Sequence, residues 1–306
     1  MTDVLLDCDP GHDDAIAMLL AGAREDCSLV GVTTVAGNQT VEKTTRNAQR
    51  MLTLMDRPEI PVAKGMGEPL ARELTIADHV HGETGLDGPE LPAPAGSLED
   101  RHAVEFIIDT VAERDGITLV PVGPLTNVAL ALKRAPEIAD GIDEIVWMGG
   151  AVRHANITPA AEFNAFVDPE AAQYVFQSGI DITMVGLDVT FQSAVEPDEV
   201  EEIRALGEVG GIVAAFLDFA AEYYTSTHGL DGYPIHDAVA LAHALDGVVE
   251  TREMRVDVES NSEFCDGRTV CDVDGRTDRP ANATVGLGLD RTAFVDGLID
   301  ALATYD

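Results

Sequence analysis

Asp7-Cys8-Asp9-Pro10-Gly11-His12-Asp13-Asp14 packs four carboxylates into one short stretch near the start of the 306-residue chain. Pro10 cannot continue a strand ladder and Gly11 permits a sharp turn, so the stretch reads as the passage from a first strand into a first helix. Asp13 and Asp14 then fall at the helix start, where the positive end of the helix dipole favours negative charge. Capping accounts for one carboxylate but leaves the others unexplained. Crowded like charges repel unless a cation or protons intervene, so a metal ion is expected here. Carboxylate and carbonyl oxygens suit Ca²⁺ or Mg²⁺. Zinc would prefer Cys and His at spacings that this chain lacks, and the stretch is too short and lacks the terminal Glu of an EF-hand loop.

The surrounding sequence supplies a frame for that turn. Val4-Leu5-Leu6 reads as a buried strand, with Ile16, Leu19 and Leu20 on one face of the helix that follows. A second strand at Leu29 to Val32 and a helix from Val41 to Met55 come next. Strand-like runs follow at Ile117 to Val122, Glu144 to Met148 and Asp181 to Val185. Such alternation predicts an α/β fold with a mainly parallel central sheet flanked by helices, in a single domain spanning 1–306. Ligands of such sheets bind outside the carboxyl ends of the strands, which is where the acidic stretch lies. Two long irregular segments, Asp78 to Gly96 and Arg153 to Asn164, are expected to be functional loops. Short strands and turns are expected beyond Thr251, closed by a helix from Arg291 to Ala303.

Asp and Glu number 55 against 19 Lys and Arg, a formal charge of −36, and the lysines are Lys43, Lys64 and Lys133. A field of that sign repels phosphate backbones and argues against nucleic-acid partners. It fits a surface kept solvated in a salt-rich, halophilic cytoplasm. No apolar run approaches the roughly 20 residues that a membrane helix needs, and no signal-peptide pattern opens the chain. The expectation is therefore a soluble cytoplasmic protein with no membrane partner. Cys8, Cys27, Cys265 and Cys271 form no paired-Cys motif and are expected to be reduced and mostly buried. The triplets at Asn38, Asn156 and Asn282 are not read as glycan sites.

The stretch DCDPGHDDA, Asp7 to Ala15, resembles the signature of the inosine-uridine nucleoside hydrolase family. Further segments agree in order: Val35 to Thr40 (VAGNQT), His81 to Gly88 (HGETGLDG), Gly123 to Asn127 (GPLTN), Met148 to Gly150, Ala161 to Asn164 (AEFN) and His236 to Ala238 (HDA). The resemblance implies a ribonucleoside hydrolase holding one Ca²⁺ on Asp9, Asp14, the Thr126 main-chain carbonyl and Asp237. Asp13 would then take a proton from the water held there, a role that suits a carboxylate within hydrogen-bond reach. Ribose would be recognised by Asn38, Asn156, Glu162 and Asn164, with Met148 lining the pocket; amides and carboxylates discriminate hydroxyls well. A homodimer or homotetramer is implied as well.

The transition state of such a cleavage resembles an oxocarbenium ion, which nearby carboxylates stabilise. The departing base needs a proton or a strong hydrogen bond, and His81 and His236 are the candidates. His79, His102, His154, His228 and His243 read as structural, and His12 receives no role. Tyr223, Tyr224 and Tyr233 either belong to the core or touch the base. Two alternatives stay open: an Asp-x-Asp phosphotransferase, which would need a lysine beside the phosphate, and a non-catalytic calcium-dependent nucleoside binder.

Overall fold

A computed structural model describes residues 1–229 and 232–305, leaving out the side chains of Glu222 and His228. The reading of His228 as structural thus falls on a side chain outside the described residues. The strands are β1 (Thr2–Cys8), β2 (Cys27–Thr34), β3 (Val62–Lys64), β4 (Ile117–Pro121), β5 (Ile142–Met148), β6 (Ile182–Val185), β7 (Ala194–Val195), β8 (Tyr233–Pro234), β9 (Val249–Met254), β10 (Val256–Val258), β11 (Thr269–Cys271) and β12 (Ala283–Leu289). Eight of them form one sheet in the order β3-β2-β1-β4-β5-β6-β12-β9. Every neighbouring pair is parallel except β12 with β9. The expected mainly parallel sheet is thus present, with one antiparallel edge.

Strand order explains where the ligand site must lie. The chain runs outward from β1 through β2 to β3, then returns to the other side of β1 and runs outward again through β4, β5 and β6. Connections leave β1 and β4 toward opposite faces, opening a crevice at their carboxyl ends. The helix His12–Ala23 follows β1 and packs in one core cluster, with Ile16, Leu19 and Leu20 buried. The helix Thr126–Arg134 follows β4 and packs in the other, through Val128, Ala129 and Leu132.

Alternation along β1 sends Val4, Leu6 and Cys8 to the first cluster and Leu5 to the second. Asp7 shares the parity of Leu5. Its carboxylate therefore accepts from Thr33 Oγ1 at 2.6 Å and Asn127 Nδ2 at 2.8 Å, tying β1 to β2 and to the loop after β4. One of the four clustered carboxylates is thus a cross-strand tie.

The helix Val41–Leu54 ends within a residue of its expected limit, and the closing helix covers Arg291–Leu302. The segment from Asp78 contains one helical turn, Asp78–His81, before its irregular course. The cysteines are free thiols, but only Cys8 is buried; Cys27, Cys265 and Cys271 are half-buried, because they sit near strand ends and in the tail rather than in the sheet centre. Among the described residues, no helix is long and apolar enough to cross a membrane.

Candidate active site

The turn after β1 is built around Asp14. At the third position of its helix it reaches back, Oδ2 accepting from Gly11 N–H at 2.9 Å and Oδ1 from Asp9 N–H at 2.9 Å. Asn38, in the loop after β2, adds its Nδ2 to Asp14 Oδ2 at 3.0 Å and its main-chain N–H to Asp9 Oδ2 at 2.6 Å. Asp9 is wedged between two glycines: a Cβ on Gly37 would lie 2.1 Å from Asp9 Oδ2, and one on Gly123 2.4 Å from Asp9 Oδ1. Only glycine lets both loops close on that carboxylate.

Asp237 arrives from the opposite side, on the first turn of the helix His236–Asp246. Asp13, Asp14 and Asp237 each place a carboxylate oxygen within 4.8 Å of the others, and all three are buried. Asp9 adjoins this trio without belonging to it, and its Oδ1 has no hydrogen bond among the described residues. Burial, with Asp14 beside it, pushes the Asp13 carboxyl up to about 8. Burial raises Asp14 to about 6, against the opposing hydrogen bonds from Gly11 and Asp9. Asp9 and Asp237 are driven well above the usual carboxylate range by burial first and by the neighbouring aspartates second. Four desolvated carboxylates, one with an orphaned oxygen, form a hard-oxygen donor set that fits a divalent cation.

A pocket opens over this floor. Asp13, Asn38, Met148, Asn156, Glu162, Asn164 and Asp237 line it, together with His79, His81, Tyr223, Tyr224 and His236. Among the expected site residues, Asp9, Asp14 and Thr126 stand behind the lining. The Thr126 hydroxyl is committed to Asp168 Oδ2 at 2.7 Å. Glu162 caps the short helix Phe163–Val167, accepting from Asn164 N–H and Ala165 N–H at 2.8 and 3.0 Å and from Gly150 N–H at 2.7 Å. Burial still lifts its carboxyl to about 7. Asn164 Nδ2 donates to Val122 O at 2.8 Å and Met148 O at 3.1 Å, which ties it to the ends of β4 and β5. Asn156 Oδ1 accepts from Phe163 N–H at 2.9 Å. These side chains are held rigidly before any ligand arrives.

The histidines divide in two. His236 lies between Thr190 Oγ1, 2.6 Å from Nδ1, and Tyr224 Oη, 3.0 Å from Nε2. His81 stacks against His12, with their Nδ1 atoms 3.2 Å apart, while His12 Nε2 lies 2.9 Å from Asp87 O. Burial keeps both rings neutral, lowering His81 well below its ordinary value and His12 to about 4. His12, given no role from the sequence, thus supports His81. His102 caps the helix Ala103–Ala112 and His243 accepts from Val249 N–H, as structural histidines should.

His79 departs from that reading. It is exposed at the pocket, edge-on to Tyr223 with ring centroids 5.7 Å apart. Tyr223 and Tyr224 also line the pocket, whereas Tyr233 stands outside the lining on β8. Thr190 went unnoticed in the sequence. Its one legible signal is position, since it follows the carboxyl end of β6.

A crevice at the strand-order switch, lined by carboxylates and by His and Tyr rings, defines the small-molecule pocket of an α/β enzyme. The chain belongs to the inosine-uridine preferring nucleoside hydrolase family, whose model matches residues 4–296, and is with it an enzyme of the nucleoside N-ribohydrolase class. It is 51% identical over 306 residues to a pyrimidine-specific ribonucleoside hydrolase RihA of Shewanella sp. (strain ANA-3), covering 99% of this chain and 96% of the relative. A protein of the same name from Shigella boydii is 50% identical, with 99% and 98% covered. Among solved structures, the purine-preferring ribonucleoside hydrolase from Gardnerella vaginalis superposes with a TM-score of 0.93 at 34% identity, over 99% of each chain.

Proposed function

We propose that this enzyme hydrolyses the N-glycosidic bond of pyrimidine ribonucleosides, releasing the free base and ribose. The observation that carries the reading is that Asp13, Asp237, His81 and His236 line one and the same pocket. Pyrimidine preference is supported by the two relatives at about half identity, which outweigh the more distant purine-preferring structure.

Asp9, Asp14, the Thr126 main-chain carbonyl and Asp237 would hold a divalent cation, which we take to be Ca²⁺; when bound, it supplies a Lewis acid that acidifies a water and grips sugar hydroxyls. Asp13 is assigned as the base for the attacking water, since its carboxylate lines the pocket within reach of the Asp14 and Asp237 oxygens that would hold the cation, and that cation's charge would favour its ionised form. Asn38, Asn156, Glu162 and Asn164, fixed by their main-chain hydrogen bonds, orient the ribose hydroxyls, with Met148 beneath. As the C1′–N bond lengthens, positive charge grows on the sugar, and the carboxylates of the floor stabilise it. His81 and His236, buried in the pocket wall, meet the departing base.

Phosphoryl transfer has less to stand on. No Lys or Arg lines the pocket among the described residues. Lys43 donates to Gln39 Oε1 and Glu83 O, Lys64 lies near Glu42, and Lys133 sits over the Tyr174 ring.

The test is release of base from uridine, cytidine, inosine and adenosine, followed chromatographically with Ca²⁺ and again with a chelator. Uracil and cytosine should appear, and chelation should stop them. Silence on all four substrates would end the hydrolase reading; purine release alone would end the pyrimidine part of it. A calcium-dependent binder without activity would retain uridine yet release no uracil.

A further inference from the structure

We infer that Gln39, Lys43 and Asn47 form a latch that holds the segment bearing His81 against the acidic turn, and are thereby positioning residues for the departing base. This rests on the reading of His81 as a residue that meets that base. Between His81 and the buried Leu86 the chain reads Gly82-Glu83-Thr84-Gly85, with no apolar side chain to anchor it. Its place must therefore be fixed by hydrogen bonds.

Three side chains spaced four residues apart supply them. Gln39 stands two residues before the helix Val41–Leu54, and Lys43 and Asn47 lie one turn apart on it. Successive carbonyls receive their donors: Gln39 Nε2 reaches Gly82 O at 2.9 Å, Lys43 Nζ reaches Glu83 O at 2.5 Å, and Asn47 Nδ2 reaches Thr84 O at 2.9 Å. Lys43 Nζ also donates to Gln39 Oε1 at 3.1 Å, which turns the Gln39 amide nitrogen toward the segment. The main-chain N–H groups of Glu83 and Thr84 go to the Asp87 carboxylate, at 2.8 and 3.1 Å.

Asn47 does more than its two companions. It is buried, and its Nδ2 also donates to Pro10 O at 3.0 Å, inside the turn between Asp9 and Asp13. Two carbonyl acceptors use both amide hydrogens, so one side chain joins the turn to the segment. The His81 ring rests on Gly11, where a Cβ would lie 2.7 Å from its Nδ1. Without the latch the ring keeps its chemistry but loses its place, and misplacement by about 1 Å is enough to cost turnover. That loss falls on substrates whose base needs help to leave. A riboside whose leaving group departs readily as an anion, such as p-nitrophenyl β-ribofuranoside, needs little.

Wild type and N47A are compared, with Ca²⁺ present, by hydrogen exchange of the peptide 81–88 and by turnover of uridine and the nitrophenyl riboside. Exchange of that peptide should quicken about tenfold in N47A, the scale set by a lost hydrogen bond, with β4 and β5 unchanged. On uridine, kcat should fall by about 10- to 100-fold. Turnover of the nitrophenyl riboside should stay within about threefold. Unaltered exchange in N47A overturns the latch. Quicker exchange with undiminished uridine turnover, or with equal loss on both substrates, overturns the positioning role. Should N47A not fold, K43M, which touches the segment but not Pro10, decides by the same readings. A wild type inactive on every nucleoside removes the function reading, whereas the exchange comparison still decides the latch.

Discussion

Asp14 gives both carboxylate oxygens to main-chain and amide donors, while its neighbour Asp13 faces the pocket. Under the proposed function, adjacent residues of one type would divide into a positioned ligand and a base. Replacing Asp13 by Asn keeps the shape and removes the proton acceptor. Base release from uridine should fall by about 10²- to 10⁴-fold, while Ca²⁺ binding measured calorimetrically persists. Undiminished turnover in that variant would remove Asp13 from the base role. Residue types carried much of this site into view: carboxylates crowded at a strand end need a reason, and His236 adjoins one of them. What stayed hidden were partnerships made only in three dimensions. The parity that turns Asp7 toward Thr33, the exposure of His79 beside Tyr223, and the pairing of Thr190 with a ring 46 positions away leave no mark in local spacing.

At the level of elements, Asp168 joins three segments. Its Oδ1 caps the helix Pro169–Phe176 through Ala171 N–H at 2.9 Å; its Oδ2 accepts from the Thr126 hydroxyl at 2.7 Å and Leu70 N–H at 2.9 Å. Burial raises its carboxyl despite those donors. Asp168→Ala strands the buried Thr126 hydroxyl and frees the part-buried Leu70 N–H, and should cost about 1–3 kcal/mol in urea unfolding. A chain as stable as wild type would show that water replaces the carboxylate without loss. The elements themselves were legible wherever apolar runs were compact, as in β1, β4 and β5. Strand order was not, because it depends on which side each crossover returns. The antiparallel edge strand β9, buried only at its ends, carries too little apolar pattern to declare its partner.

For the whole molecule, the four site carboxylates link stability to pH and to the cation in opposite senses. In the cation-free protein their folded values lie above the unfolded value near 3.8, with Asp14 at about 6 and Asp13 at about 8. The folded chain therefore binds more protons than the unfolded chain across that window, and its stability falls as pH rises from about 4 through about 8. A divalent cation replaces those protons, so its affinity and its stabilising effect grow over the same window. Surface acids and the overall charge of −36 also depend on pH, but they are common to both states of the site. The difference between thermal midpoints with saturating Ca²⁺ and with chelator cancels them. That difference should be small at pH 5 and should widen steadily to pH 8. A gap that is constant with pH would mean that the cation binds without displacing protons from these aspartates, and it would place the ion elsewhere in the protein.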